Sequence, residues 1–410
     1  VDPIAFAVPV FMGLFGLEVW AARRGGRPWV RFADSMSDLS CGIMQQVLKM
    51  FLVVLTAGAY IWVEDRVGLL DLSASDPWVW VATFFGVDLC YYWFHRLSHQ
   101  INFLWAAHVV HHQSEEYNLS VALRQSALQP GFSWLFYIPL AVLGVPPLVF
   151  FVHVSVNTLY QFWIHTRAIG RMGPLELILN TPSHHRVHHG QNPQYIDKNH
   201  AGTLIVWDKL FGTFEPEDEP VVYGITEPTD SFNPFWVNLH TWVLTAQRAA
   251  RTRRWRDKLL LFLKPPGWLP DDLQGDKAPR PWPPPKYDPP VSAAVRSYTL
   301  LQFALVVAAM PPFLLLDEGL QYPLKLALGA GILAALAALN GLNEGRGWAR
   351  WLELARVLGT VAGVAATWPP GAPPLRYALP PLLLWAGLSG VGLLRALRAS
   401  AEPQVGLHAG

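Results

Sequence analysis

Ten of the fourteen histidines of this 410-residue chain fall in four short stretches. FHRLSHQ carries His95 and His99, and WAAHVVHHQ carries His108, His111 and His112. QFWIHTR carries His165, and TPSHHRVHHG carries His184, His185, His188 and His189. Imidazole is the commonest protein ligand for metals, and it binds them in its neutral form. On a helix, residues three and four apart share a face. The H-x3-H pair and each H-x2-H-H triplet, at 108–112 and at 185–189, therefore aim their rings one way. One structural zinc takes four ligands, so this set exceeds one ion and suits two, with roughly four or five imidazoles each. Imidazole serves iron, zinc, copper and nickel alike, so ligand type does not choose the metal. No carboxylate lies inside the pattern, unlike the Glu-x-x-His ligands of soluble di-iron bundles. Two cations held by neutral rings keep their full charge, and should draw a bridging hydroxide, oxide or reduced oxygen species. His184 sits about 100° of helix from His185, so it is expected off the metal-facing side, near a ligand ring or the substrate. His153, His200, His240 and His408 stand alone and read as ordinary core or surface residues.

The elements that must position these rings are apolar. The chain is 52% hydrophobic and 15% charged, with mean hydropathy +0.23; soluble domains carry about a quarter charged residues. A net charge of +1 gives no reason to expect a nucleic-acid partner. Cys41 and Cys90, isolated in apolar segments, form neither a disulfide framework nor a thiolate metal site. The opening apolar run meets an Arg-rich patch instead of a small-residue cleavage site, and reads as a retained span. Stretches long enough to cross a bilayer, or nearly so, are residues 4–20, 44–63 and 77–94 and a hairpin through 131–164 turning at Pro146-Pro147. Four more follow at 298–316, 324–343, 352–368 and 377–397. The histidine stretches lie at or just beyond span ends.

Alternation through these spans puts the Arg-rich loops AARRGGRPWVR, EGRGWARW and RALRAS on one side. The loops EDRVGLLDLSASD and LLDEGLQYP, with one Arg between them, fall on the other. The positive-inside rule makes the first side cytoplasmic, in a bacterial inner membrane or endoplasmic reticulum, and 95–130 and 165–297 go with it. Residues 264–290 are too proline-rich for helix and read as an extended surface linker. The expected architecture is an all-α integral membrane protein, a multi-span bundle with a cytoplasmic histidine-rich di-metal cap. Its parts are a catalytic domain at 1–263, a proline-rich linker at 264–297 and a four-span region at 298–410.

Longer strings carry more than spacing. HHQSEEYNLSVALRQSALQP at 111–130, LYQFWIHT at 159–166 and GPLELILNTPSHHRVHHGQNPQYIDKNHAGTLIVWDKLFGTFEPE at 173–217 accompany the three histidine motifs. Together they resemble the fatty acid hydroxylase (sterol desaturase) superfamily of membrane di-iron oxygenases, and within it most resemble the alkylglycerol monooxygenases, over about residues 77–230. The resemblance implies a di-iron centre that activates O2, with tetrahydrobiopterin or another reductant supplying electrons; a purified sample could carry zinc instead. It implies hydroxylation of the ether-linked carbon of an O-alkyl glycerol lipid, and collapse of the product to a fatty aldehyde and a glycerol. Its ligands would be His95, His99, His108, His111, His112, His185, His188 and His189, with His165 as a ninth. These enzymes carry Glu after the second histidine; this chain has Gln100, which keeps hydrogen bonding and loses the charge. Other readings are a lipid acyl-chain or sterol C–H hydroxylase or desaturase on the same scaffold, and a metal transporter, which needs ligands at mid-membrane. A zinc hydrolase finds no H-E-x-x-H.

Metal-bound imidazoles usually donate their second N–H to a carboxylate or carbonyl. Asp88, two turns before His95 in an apolar stretch, is a candidate for that role, as are Glu115, Glu116, Asn118 and Asp208. Arg124 and Gln125 are expected to bind the pterin or a lipid headgroup. Trp207, Phe211 and Phe214 are expected to pack a lid. The partners implied are a membrane lipid and a reduced pterin or redox protein.

Overall fold

The computed structural model describes residues 3–276, 280–315, 322–367 and 379–401. Among them no strand forms; the β pairing consists of isolated bridges, Leu179 to Leu204 and Gly190 to Tyr223. The chain divides into two compact units.

The larger unit covers residues 7–230 and 236–286. Its long helices are α1 (Pro3–Arg24), α2 (Phe32–Val67) and α3 (Pro77–Gln100), the last opened by a proline whose fixed φ suits the first helical position. A corner at Ile101 leads into α4 (Asn102–His108), then a 3-10 turn, Val109–His112, and α5 (Leu119–Ala122). The expected hairpin is built from α6 (Pro130–Ser133), α7 (Ile138–Val142) and α8 (Pro147–Trp163). Gly144 makes its turn at φ +86°, where a Cβ would lie 2.0 Å from the Leu70 carbonyl oxygen, so only glycine fits. Tyr60, Val87, Tyr137, Leu140 and Phe150 form the core between α2, α3, α7 and α8, with Tyr60 and Phe150 stacked at 3.9 Å. Beyond α8 come α9 (Pro182–His188), α10 (Val206–Phe211), α11 (Pro234–Arg251) and α12 (Trp255–Leu263).

The smaller unit holds α13 (Ala293–Leu315), α14 (Tyr322–Asn343), α15 (Ala349–Thr367) and α16 (Leu379–Ala401), packed as an up-and-down set. Inside it, the buried Glu353 carboxylate accepts from Tyr298 at 2.5 Å and from Arg356 at 2.6 and 2.7 Å.

By length and composition, α13 and α14 can cross a membrane, and α2 makes a third span if its halves, bent by 45°, count as one. The sequence suggests more spans than this. The helices left out carry ionisable residues that lower their mean hydropathy: Glu18, Arg23 and Arg24 in α1, Asp88 and Arg96 in α3, Glu353 and Arg356 in α15. The hairpin arm at 130–142 and the stretch Leu383–Ala396 are apolar but short. Residues 316, 368 and 377–378, at the ends of expected spans, lie outside the described residues.

Candidate metal centre

α3 brings His95 and His99 to the site from its last two turns, and α4 with the 3-10 turn brings His108, His111 and His112. His165 follows the end of α8, and α9 brings His185 and His188, with His189 as its cap. All nine are buried. Their ligand atoms gather in two groups, each within 4.8 Å: His95, His99, His108, His112 and His188 in one, His111, His165, His185 and His189 in the other. Each H-x2-H-H motif is divided between the groups, one triplet sending His111 alone to the second and the other sending His188 alone to the first. In the first triplet His108 and His112, four apart, stay together, with their Nε2 atoms 3.1 Å apart, while His111 points to the other group. A shared helix face is therefore not a shared metal.

The hydrogen bonds fix which ring nitrogen faces inward. His95 Nδ1 lies 2.7 Å from the His200 carbonyl, His111 Nδ1 2.9 Å from that of Arg124, His165 Nδ1 2.6 Å from that of Gln161, and His188 Nδ1 2.9 Å from that of Lys198. A carbonyl only accepts, so each Nδ1 carries the proton and each Nε2 presents a lone pair. The Nε2 atoms of His111 and His165 then face each other at 3.2 Å with no proton between them. Lone pairs repel at that distance unless a cation lies between them. Two nitrogens bound tetrahedrally to one ion at 2.0–2.1 Å stand about 3.3 Å apart. The Nε2 atoms of His95, His99, His188 and His189 are buried without any hydrogen-bond partner, which is costly for a polar atom. The residues present therefore fit two metal ions.

Burial pushes His108 and His165 down to about 4, and burial with neighbouring imidazoles holds His111, His112, His185, His188 and His189 well below their ordinary 6.5. The rings stay neutral as pH falls through 6.5, where the unfolded chain takes up protons. The metal-free protein should thus lose stability between about 6.5 and 4. Metal content should hold through 6.5 and drop on approach to 4, read after dialysis across a pH series. Loss already complete at 6.5 would contradict the buried neutral rings.

One short segment, residues 197–200, supports three of the five rings in the first group. The Lys198 and His200 carbonyls orient His188 and His95, and the Asp197 carboxylate lies 3.4 Å from His99 Nδ1. Asp197 and Asn199 take left-handed φ of +57° and +53°, rare for residues with a side chain. Asp208 pins this segment by accepting from the His200 and Ala201 backbone N–H groups at 2.8 Å. Asp88 accepts from the N–H groups of Thr203 and Leu204, from Trp207 Nε1 and from Asn157 Nδ2. Both aspartates thus act on the loop that orients these histidines and hydrogen-bond to none of the nine rings.

His184 is outside both groups, beside Phe214 at 5.4 Å. Glu116 is buried, with Arg31, Arg167 and Lys286 at 2.9, 2.6 and 2.5 Å, and Glu115 pairs with Arg31 at 2.8 Å. Asn118 caps α5. Arg124 is buried and spends its donors on the Val110 carbonyl, Ser37, Asp38 and Gln113. That makes it a clamp between α2 and the histidine-bearing segment, where the sequence suggests a pterin or headgroup ligand. Gln125 bonds locally to the Ala122 carbonyl. Gln100 is half-buried at the end of α3, outside both histidine groups. Phe211 stacks on Tyr92 at 5.3 Å. Among the isolated histidines, His153 lies beside Trp80 and His240 beside Trp236, while His408 is outside the described residues. His200 differs: it is fully buried, with ring centroids 5.0–5.7 Å from His95, His99 and His188. Neither His200 nor Asp197 stands out by spacing; both lie inside the long string QYIDKNHAG, which was their only signal.

Residues 80–213 match the fatty acid hydroxylase family, which sets the class of protein. The chain is 43% identical to the alkylglycerol monooxygenase of Danio rerio over 364 residues, covering 85% of this chain and 79% of that one. It is 43% identical to the Homo sapiens enzyme over 321 residues, 75% and 70% of the two chains. The chain belongs to the alkylglycerol monooxygenase family. An ornithine lipid hydroxylase of Rhizobium tropici is 34% identical over 138 residues, a third of this chain and 42% of its own. No solved structure matches.

Proposed function

We propose that this chain is an O2-dependent membrane monooxygenase that hydroxylates the ether-linked carbon of O-alkyl glycerol lipids. The observation that carries the reading is the convergence of nine buried imidazoles in two groups, within a chain alike over most of its length to alkylglycerol monooxygenases. His95, His99, His108, His112 and His188 would hold one metal, and His111, His165, His185 and His189 the other. Bound iron would supply the redox chemistry that activates O2. The protein's part is to keep the rings neutral, fix their tautomers through the Nδ1 contacts and exclude water from the reacting carbon. Hydroxylation of that carbon gives a hemiacetal, which collapses to a fatty aldehyde and a free glycerol hydroxyl. The electrons come from a reduced pterin or a redox partner. The loop charges support a cytoplasmic site, reached by lipid sideways from the bilayer.

The purified protein, loaded with iron, is to be given an alkylglycerol, O2 and a reduced pterin. Fatty aldehyde is the expected product. A hydroxylated lipid with its ether intact would favour the second reading, an acyl-chain hydroxylase, which the partial likeness to an ornithine lipid hydroxylase supports.

Asp197 brings a negative charge to the five-histidine group. Asp197→Asn should weaken metal binding there by about 10- to 100-fold, measured by chelator competition, and spare the four-histidine group. Equal weakening of both groups would show that the segment acts only through folding.

A further inference from the structure

α12 carries an apolar stripe that the larger unit leaves uncovered. Trp255, Leu259 and Leu263 are 80%, 66% and 62% exposed. Residues four apart drift only about 40° around a helix, so the three form one line. The opposite face is already used: Leu261 is buried against Leu269 and Leu273. The stripe is set in positive charge. Six basic residues and a single acid, Asp257, lie between 251 and 264. Arg253, Arg254 and Arg256 are exposed at the start of the helix, and the Lys258 ammonium lies 5.4 Å from the Trp255 ring. A large exposed aromatic at the end of a short helix, an aliphatic line behind it and cations alongside describe a helix lying in a membrane interface.

The helix is moored to the metal-bearing corner. Asn102, between His99 and His108, donates its backbone N–H to the Lys264 carbonyl at 3.0 Å. Its side-chain amide donates to the Leu261 carbonyl at 2.8 Å and to Thr245 Oγ1 at 3.1 Å. Whatever fixes the depth of α12 therefore fixes the depth of the corner from which both histidine motifs depart.

We infer that α12 is an in-plane anchor that seats this corner on an anionic lipid surface, with Trp255, Leu259 and Leu263 inserted among the acyl chains and the arginines among the headgroup phosphates. Charge complementarity selects this partner: an apolar line meant for a second protein does not need a cationic rim, whereas each cation near an anionic leaflet adds to binding. The inference does not depend on which lipid is oxidised.

The test places a nitroxide on Leu259→Cys, in the full chain with Cys41 and Cys90 replaced by Ser, in vesicles of phosphatidylcholine with or without phosphatidylglycerol. A label on Asp218→Cys, at an exposed side chain, gives the water-exposed reference, and retained metal content shows that each variant folds. The label at 259 should collide with O2 and be shielded from a water-soluble nickel chelate. Shielding should be several-fold stronger in the anionic vesicles and be lost in the Arg253→Gln, Arg254→Gln, Arg256→Gln variant. Chelate access at 259 equal to that at 218 would overturn the anchor. Equal shielding in both lipids would overturn the choice of an anionic surface. Dipolar broadening between labels would assign the stripe to a second copy of the chain and overturn it too.

Discussion

His188→Gln should lower metal content per chain and cut turnover, while His184→Gln keeps the full metal content. The two residues lie on the same short helix and are both buried, so burial does not separate them. Position does. His188 Nε2 is buried without a hydrogen-bond partner among the five-histidine group, and its Nδ1 is tied to the Lys198 carbonyl. Glutamine offers an amide where a metal needs a neutral ring nitrogen, so the site loses a ligand and its affinity. His184 faces Phe214 instead, outside both groups. Metal per chain, with iron and zinc measured together, reads the difference. Equal loss in the two variants would show that His184 is a ligand.

Arg124→Ala should cost about 3–5 kcal/mol, the usual result of stranding one partner of a buried ion pair. The Asp38 carboxylate, fully buried and 3.0 Å from the guanidinium, would lose its counter-charge. Gln113 and the Val110 carbonyl would lose donors as well. Domains are stable by about 5–15 kcal/mol in all, so this is a large share. Because the Arg124 carbonyl holds His111 Nδ1, the four-histidine group should loosen with it. Arg124→Lys should rescue little, since a single ammonium cannot replace a planar fork with several partners. Thermal unfolding in detergent, followed with metal content, tests this. Unchanged stability with a raised KM for pterin would instead make Arg124 a cofactor ligand.

The histidines were legible because ligand chemistry allows few residue types and short spacings leave a plain mark. The spacing of His185, His188 and His189 says that they work together, but not that His188 leaves its neighbours for the other group. That division depends on where α3 and the 3-10 turn place the remaining rings, which is a tertiary fact. Asp88 was recognisable as a polar residue in an apolar helix, yet its partners are the backbone of a loop more than a hundred residues away. Arg124 looked like a ligand for a charged group, and it does hold one: the protein's own Asp38. The membrane-spanning pattern was readable in outline from hydropathy. Its count was less so, because α1, α3 and α15 mix apolar faces with buried ionisable groups that only packing can satisfy.

The proposed activity requires oxygen from O2 to reach the ether-linked carbon. Iron-loaded protein should be supplied with an alkylglycerol, a reduced pterin and isotopically heavy O2, and the aldehyde trapped at once by reduction to the alcohol. Collapse of the hemiacetal leaves the new oxygen on the aldehyde carbon, so the trapped alcohol should carry the heavy label and the released glycerol none. Heavy oxygen found only in a hydroxylated lipid whose ether bond is intact would contradict it.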